Sequence, residues 1–265
     1  MALSELWEWI TGNFAAFLLV TARVSGIFTF NPVFSRQNVP MRIKTGSTLV
    51  MAMVTMSYMS NDLAYTESGI FPFVLNLGKE LLVGLILGFF VNLILTVIIY
   101  AGEVMDTQIG FGMAKAMDPM TGVQMPLFAN LFYYLFILYF FIVGGHLKYV
   151  ELFIKSYDIL PIGYQFTADT LNLVKFIVDY LGIVLTLAAK FAMPILAAEL
   201  ITEFIIGVMM RAVPTIQIFV LNIQLKIVVG MLVLLAVAKP MSDFLDYLLG
   251  IMFGNLENMI GLIGQ

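Results

Sequence analysis

Arg23, Lys79, Glu80, Lys190, Glu199, Glu203 and Lys226 are ionisable residues that sit inside stretches otherwise built from apolar side chains. Arg211 stands at the edge of one such stretch. A charge in that setting is costly and normally faces protein or water. Two chemistries suit the set. Carboxylates and amines in series can relay protons or ions; alternatively, the charges pair with one another or with partner subunits. Glu199 and Glu203 are four residues apart and so share one helical face. Lys226 would lie on the facing arm if the chain turns between them. No internal repeat or symmetric pair of broken helices supports a transporter, so pairing is the favoured reading.

Other chemistry is excluded or unsupported. The chain has no cysteine, which removes disulfides, thiolate zinc sites, iron–sulfur clusters and a cysteine nucleophile. Its one histidine, His146, follows Gly144-Gly145 at the end of an apolar run and reads as an interfacial hydrogen-bonding residue. There is no G-x-S-x-G, no H-E-x-x-H and no P-loop. Neither a catalytic site nor a cofactor or metal site is expected. The net charge of −4, from 13 basic and 17 acidic residues, includes no basic run to hold nucleic acid.

One polar segment stands apart. Gly102–Pro126 contains Met105, Met113, Met117, Met120 and Met125, with Gly102, Gly110, Gly112 and Gly122. Glycine gives backbone freedom, and methionine is an unbranched, adaptable filler of irregular gaps. Such a segment can close a hole and be pushed aside. It can equally be a re-entrant loop that is core and nothing more. Spacing alone leaves both open.

The elements that must position these residues follow from composition. Of 265 residues, 61% are hydrophobic and 11% charged, with a mean hydropathy of +1.00. Soluble domains run nearer about half apolar and about a quarter charged, so this is an integral membrane protein. The apolar runs are Phe14–Phe34, Ser47–Ser60, Ile70–Tyr100, Leu127–Gly145, Phe176–Met210 and Ile218–Ala238. They are unbroken rather than alternating, which predicts about six helical segments and not strands. The lengths fit a flat bilayer poorly. Ser47–Ser60 would rise only ~21 Å and Phe176–Met210 ~52 Å, against a hydrocarbon core of ~30 Å. Pro194 should kink or break the long run. The last two runs read as a hairpin turning at Arg211-Ala-Val-Pro214.

Further expectations concern packing and orientation. Gly84 and Gly88 form a G-x-x-x-G, and Ala188 and Ala192 a pair of small residues four apart; both permit close helix contact. Met1–Gly12 has no Lys or Arg and reads as an amphipathic lead-in rather than a cleaved signal. Arg36, Arg42 and Lys44 put the first connection in the cytoplasm and, by alternation, both termini outside. Lys148, Lys155, Lys175 and Lys239 oppose that scheme. Beyond Pro240, Phe244, Leu245, Leu248, Leu249, Met252, Phe253, Leu256, Met259, Ile260 and Ile263 make one apolar face. Without basic residues beside it, this face is expected to pack on another protein rather than on anionic lipid.

Several short motifs in order carry a resemblance. They are Arg23 with Pro32; Val39-Pro40-x-Arg42; Glu80-x-x-x-Gly84-x-x-x-Gly88; Ala101-Gly102; Asp106-x-Gln108-x-Gly110; and Asp118-Pro119. Met193-Pro194, Glu199, Gly207, Arg211-x-x-Pro214, Lys226 and Gly230 complete the series. Along essentially its whole length the chain resembles the FliR/SctT family, the export-gate subunits of type III secretion systems. Gly144-Gly145-His146 departs slightly from the family's Asn-Gly pattern.

The resemblance implies an all-α subunit whose kinked or broken segments pack as hairpins in a helical hetero-oligomeric gate with FliP and FliQ, with FlhB associated. It implies a FliP-like part at 1–145, a polar connection at 146–173, a FliQ-like hairpin at 174–240 and an amphipathic helix at 241–265. The Gly–Met loop would be the channel plug, with Gly110, Phe111, Gly112, Met113, Met117, Met120 and Met125 as its sealing residues. Arg23, Glu80, Lys190, Glu199, Glu203, Arg211 and Lys226 would be polar assembly contacts. Unfolded flagellar subunits would pass through the centre, in the bacterial inner membrane at the basal body. Energy would come from the proton-motive force and a separate ATPase, so the chain would not be an enzyme. The competing classes are an independent secondary transporter or channel and, more remotely, an intramembrane enzyme.

Overall fold

The structure, a computed structural model, describes residues 14–30, 40–59, 69–111, 116–117, 124–164, 170–212 and 218–264. Among them are eight α-helices: α1 (Phe14–Phe30), α2 (Met41–Tyr58), α3 (Ile70–Ile109), α4 (Leu127–Ile142), α5 (Gly145–Ile159), α6 (Thr170–Ala212), α7 (Ile218–Ala236) and α8 (Ala238–Ile263). Two short strands, β1 (Ala116–Met117) and β2 (Gln124–Met125), form the one sheet described. The protein is thus an all-helical membrane protein apart from this ladder. In lipid a helix satisfies its own backbone groups, which is why apolar runs of this kind adopt no other form. Polar side chains within the runs follow the same rule. The hydroxyls of Thr21, Thr48, Thr55 and Thr202 donate to the carbonyls four residues back, at 2.7–2.9 Å.

Two helices, Ile70–Ile109 and Asn172–Ala212, are long and apolar enough to cross a membrane singly. The α4–α5 and α7–α8 pairs each qualify as one broken span, giving up to four crossings. The first break is at Val143-Gly144, where Gly144 takes φ +74°, a conformation glycine adopts without steric cost. The second, at Val237, bends the chain by 63°.

Three expectations are corrected. The segment starting at Gly102 is helical to Ile109. Glycine weakens a helix only modestly, and at position 102 its missing side chain is needed. A Cβ there would stand 2.6 Å from the Ala129 nitrogen. α3 ends instead at Gly110, whose N–H donates to the Asp106 carbonyl at 3.2 Å and whose φ is +97°. Second, of the kink or break expected at Pro194 the break does not occur: α6 runs through it for 43 residues, since proline withdraws a single donor from a long ladder. Third, the apolar face of α8 is filled by the chain itself. Leu248, Leu249, Met252, Phe253, Leu256, Met259, Ile260 and Ile263 are all buried.

The helices pack as two compact units that interleave along the chain, with boundaries falling inside α3, α6 and α8. One comprises residues 1–92, 146–177 and 252–265; the other comprises 93–145 and 178–251. In the first unit α1 and α3 meet backbone to backbone. A Cβ on Gly26 would lie 2.6 Å from the Leu81 carbonyl oxygen, and one on Gly88 would lie 2.8 Å from that of Ile27. The G-x-x-x-G therefore lies in a helix crossing. In the second unit an aromatic row runs through the core: Phe128–Phe132, Phe132–Phe191 and Phe191–Phe244, with centroids 6.2, 5.4 and 5.1 Å apart.

Candidate functional site

The connection between α3 and α4 is held at its base by three contacts, all within the second unit. α4 starts behind Pro126, which offers no side-chain cap, so its first N–H groups need another acceptor. Asp106, on the last turn of α3, supplies it. Its Oδ2 accepts from the Phe128 N–H at 2.8 Å and the Ala129 N–H at 3.4 Å. One turn earlier Gly102 lies against Ala129. Beyond the helix end, Phe111 meets Phe128 edge to face, with centroids 5.8 Å apart. Further out the loop pairs with itself, Ala116 opposite Met125 and Met117 opposite Gln124, antiparallel.

Of the seven expected sealing residues, Gly110 and Phe111 form the hinge end just described. Met117 and Met125 contribute backbone to the ladder. Gly112, Met113 and Met120 lie outside the described residues, as do the side chains of Met117 and Met125. Met105 belongs to α3 and is buried in it. Asp106 was not among the sealing residues. It stood only in the Asp-x-Gln-x-Gly pattern, and the signal that could have revealed its role is a helix start at Pro126 with no Ser, Thr, Asp or Asn before it.

The expected polar contacts separate into three kinds. In the first unit Arg23 and Glu80 are almost fully buried and pair with each other, Nε to Oε2 at 2.5 Å. Arg23 Nη1 donates to Ser156 Oγ at 3.2 Å and Nη2 to the Leu160 carbonyl at 2.8 Å. The Tyr157 ring lies beneath the guanidinium, 3.9 Å away. In the second unit Lys226 on α7 pairs with Glu203 on α6. Glu199 is buried one turn before Glu203, with no hydrogen bond to either carboxylate oxygen among the described residues. Glu203 and Lys226 stand equally far in sequence from the Pro214–Thr215 peptide, and so do Glu199 and Gly230, which are also in contact. That symmetry is the register of an antiparallel hairpin. The turn itself, residues 213–217, lies outside the described residues. Lys190 and Arg211 are exposed, with no ion pair among the described residues.

Comparison with known proteins gives this arrangement a context. The model for "Bacterial export proteins, family 1" matches residues 14–252. The chain belongs to this family. Among its relatives, the flagellar biosynthetic protein FliR of Bacillus subtilis (strain 168) is 26% identical, over 95% of this chain and 96% of its own length. The FliR of Escherichia coli (strain K12) is 28% identical, over 97% and 96%. Yop proteins translocation protein T of Yersinia pestis is 27% identical, over 86% and 87%. As a family 1 bacterial export protein with membrane-spanning helices, the chain is a membrane-localised subunit of a protein-export apparatus.

Proposed function

We propose that this subunit belongs to the flagellar type III export gate of the bacterial inner membrane, at the flagellar basal body. It assembles there with FliP, FliQ and FlhB around a channel for unfolded flagellar proteins, and the loop between α3 and α4 closes that channel. The flagellar assignment follows the FliR relatives of Bacillus subtilis and Escherichia coli, which align along 95% and 97% of the chain. The observation that carries the sealing role is the loop's construction. Both ends stand on one turn of α4, and a short ladder closes the loop above them. A loop so footed can fill a lumen without unravelling. Its methionines yield to a passing chain and then refill the gap, and an apolar constriction blocks ions by dewetting, without a charged gate. The subunit performs no catalysis and needs no cofactor. The FliP-like and FliQ-like division of the chain is part of the same reading, as are Lys190 and Arg211 as contacts to partner subunits.

Deleting Gly110–Ala116 tests the seal. A complex that still copurifies with FliP and FliQ should make cells leak ions and small impermeant solutes. A tight membrane with intact complex would make the loop ordinary packing. An independent transporter, by contrast, would purify without FliP and FliQ.

A further inference from the structure

We propose that Asp106 is the positioning residue of the seal, a clasp that joins the two ends of the loop and thereby holds it closed. This rests on the reading of the loop as the channel seal. Asp106 is fully buried and lies 22 residues from the nearer of the two N–H groups it accepts. A helix is ordinarily capped by the residue next to it, so a distant cap does two things at once. It satisfies two of the orphan donors of α4 and it ties α4 to the end of α3. Its charge also faces the positive end of the α4 dipole, which strengthens the tie. The residues around it are consistent with a clasp. Gly102 lets α3 approach Ala129, Gly110 turns the chain out of α3 immediately after it, and Phe111 rests on Phe128. Cut the carboxylate and the loop keeps its sequence but loses the bond that sets the distance between its feet.

A local cap and a clasp are separable by mutation. Asp106→Ala removes both functions; Pro126→Asp provides α4 with a cap of its own but no tie to α3. The experiment uses cells carrying the full gate, with complex quantified by copurification and leak read as potassium loss. Loss of a cap shifts a local equilibrium by about 5–30-fold, and the leak through Asp106→Ala gates should rise by a factor of that order. Asp106→Asn, which retains an acceptor oxygen, should restore most of the tightness. The decisive variant is the double one, Asp106→Ala with Pro126→Asp. It should assemble normally and still leak. If the double variant assembles and is tight, Asp106 is a helix cap only and the clasp is wrong. Should the Gly110–Ala116 deletion leak while Asp106→Ala gates stay tight, the clasp fails and the seal survives. If intact gates carrying either change are tight, the seal reading falls and the clasp with it.

Discussion

Arg23 illustrates how a buried ion becomes tolerable. One guanidinium meets a carboxylate, a hydroxyl, a carbonyl and an aromatic face, so little of its lost hydration goes uncompensated. Removing one partner strands the other. Arg23→Ala or Glu80→Ala alone should destabilise the first unit by about 3–5 kcal/mol, whereas replacing both with apolar residues of similar size should cost far less. Thermal unfolding of the detergent-purified complex measures this, and equal losses in the single and double variants would contradict it. Arg23→Lys should behave like a loss, because a point charge cannot serve three acceptors lying in different directions. The sequence marked both residues as intramembrane charges but could not join them. They are 57 residues apart on separate helices, and periodicity within a helix says nothing about which helices meet. Glu203 and Lys226 were legible because a single turn sets their register.

Among the helices, α3 shows how position decides what a glycine does. A Cβ on Gly84 would enter the α1 backbone at Arg23, while one on Gly78, less than two turns away, would meet nothing within 4 Å. Gly84→Ala should therefore force α1 and α3 apart, with a cost of about 1–3 kcal/mol or more. Gly78→Ala should be neutral or stabilising by up to about 1 kcal/mol through helix propensity. The pair of melting temperatures checks the contrast, and similar values for both would remove the close crossing. Element type was readable from unbroken hydrophobicity, and most starts fell within a few residues. The ends were less readable. Gly102 looked like the beginning of a loop because glycine's local penalty is visible in sequence, whereas the Ala129 backbone that occupies its vacant side is not. Likewise Pro194 marked a kink or a break, and the continuous α6 excludes the break.

Taken whole, the chain leaves a large apolar surface uncovered where α6 and α7 run together. Leu200, Ile201, Phe204, Ile205 and Val208 are exposed on α6, with Val228, Leu232 and Leu235 on α7. The two antiparallel arms bury only part of each other, and lipid or protein must cover the rest. Under the proposed assembly it is protein. Expressed alone, the chain should be heterogeneous in detergent, and coexpression with FliP and FliQ should give a single species. A monodisperse monomer unaffected by coexpression would count against that. Membrane class and family were legible across the whole sequence, since composition and the order of many weak motifs survive without any knowledge of contacts. The interleaving of two units was not, nor was the self-covering of α8, because both depend on which distant segments pack together.

The polar centre around Arg23 has a consequence for synthesis. Its acceptors on and after α5 lie 133 and 137 residues further along the chain. At about 5–20 residues per second, the ribosome reaches them about 7–27 seconds after Arg23. For the first part of that interval the guanidinium lacks even Glu80, which lies 57 residues downstream, and for the rest it has that one carboxylate and no further ligands, in or near the membrane. The polar centre of the first unit is therefore completed late, when α5 and the residue after it arrive. A message cut short before Ser156 would yield a product whose buried charge stays partly bare, a defect that membrane quality control is suited to detect.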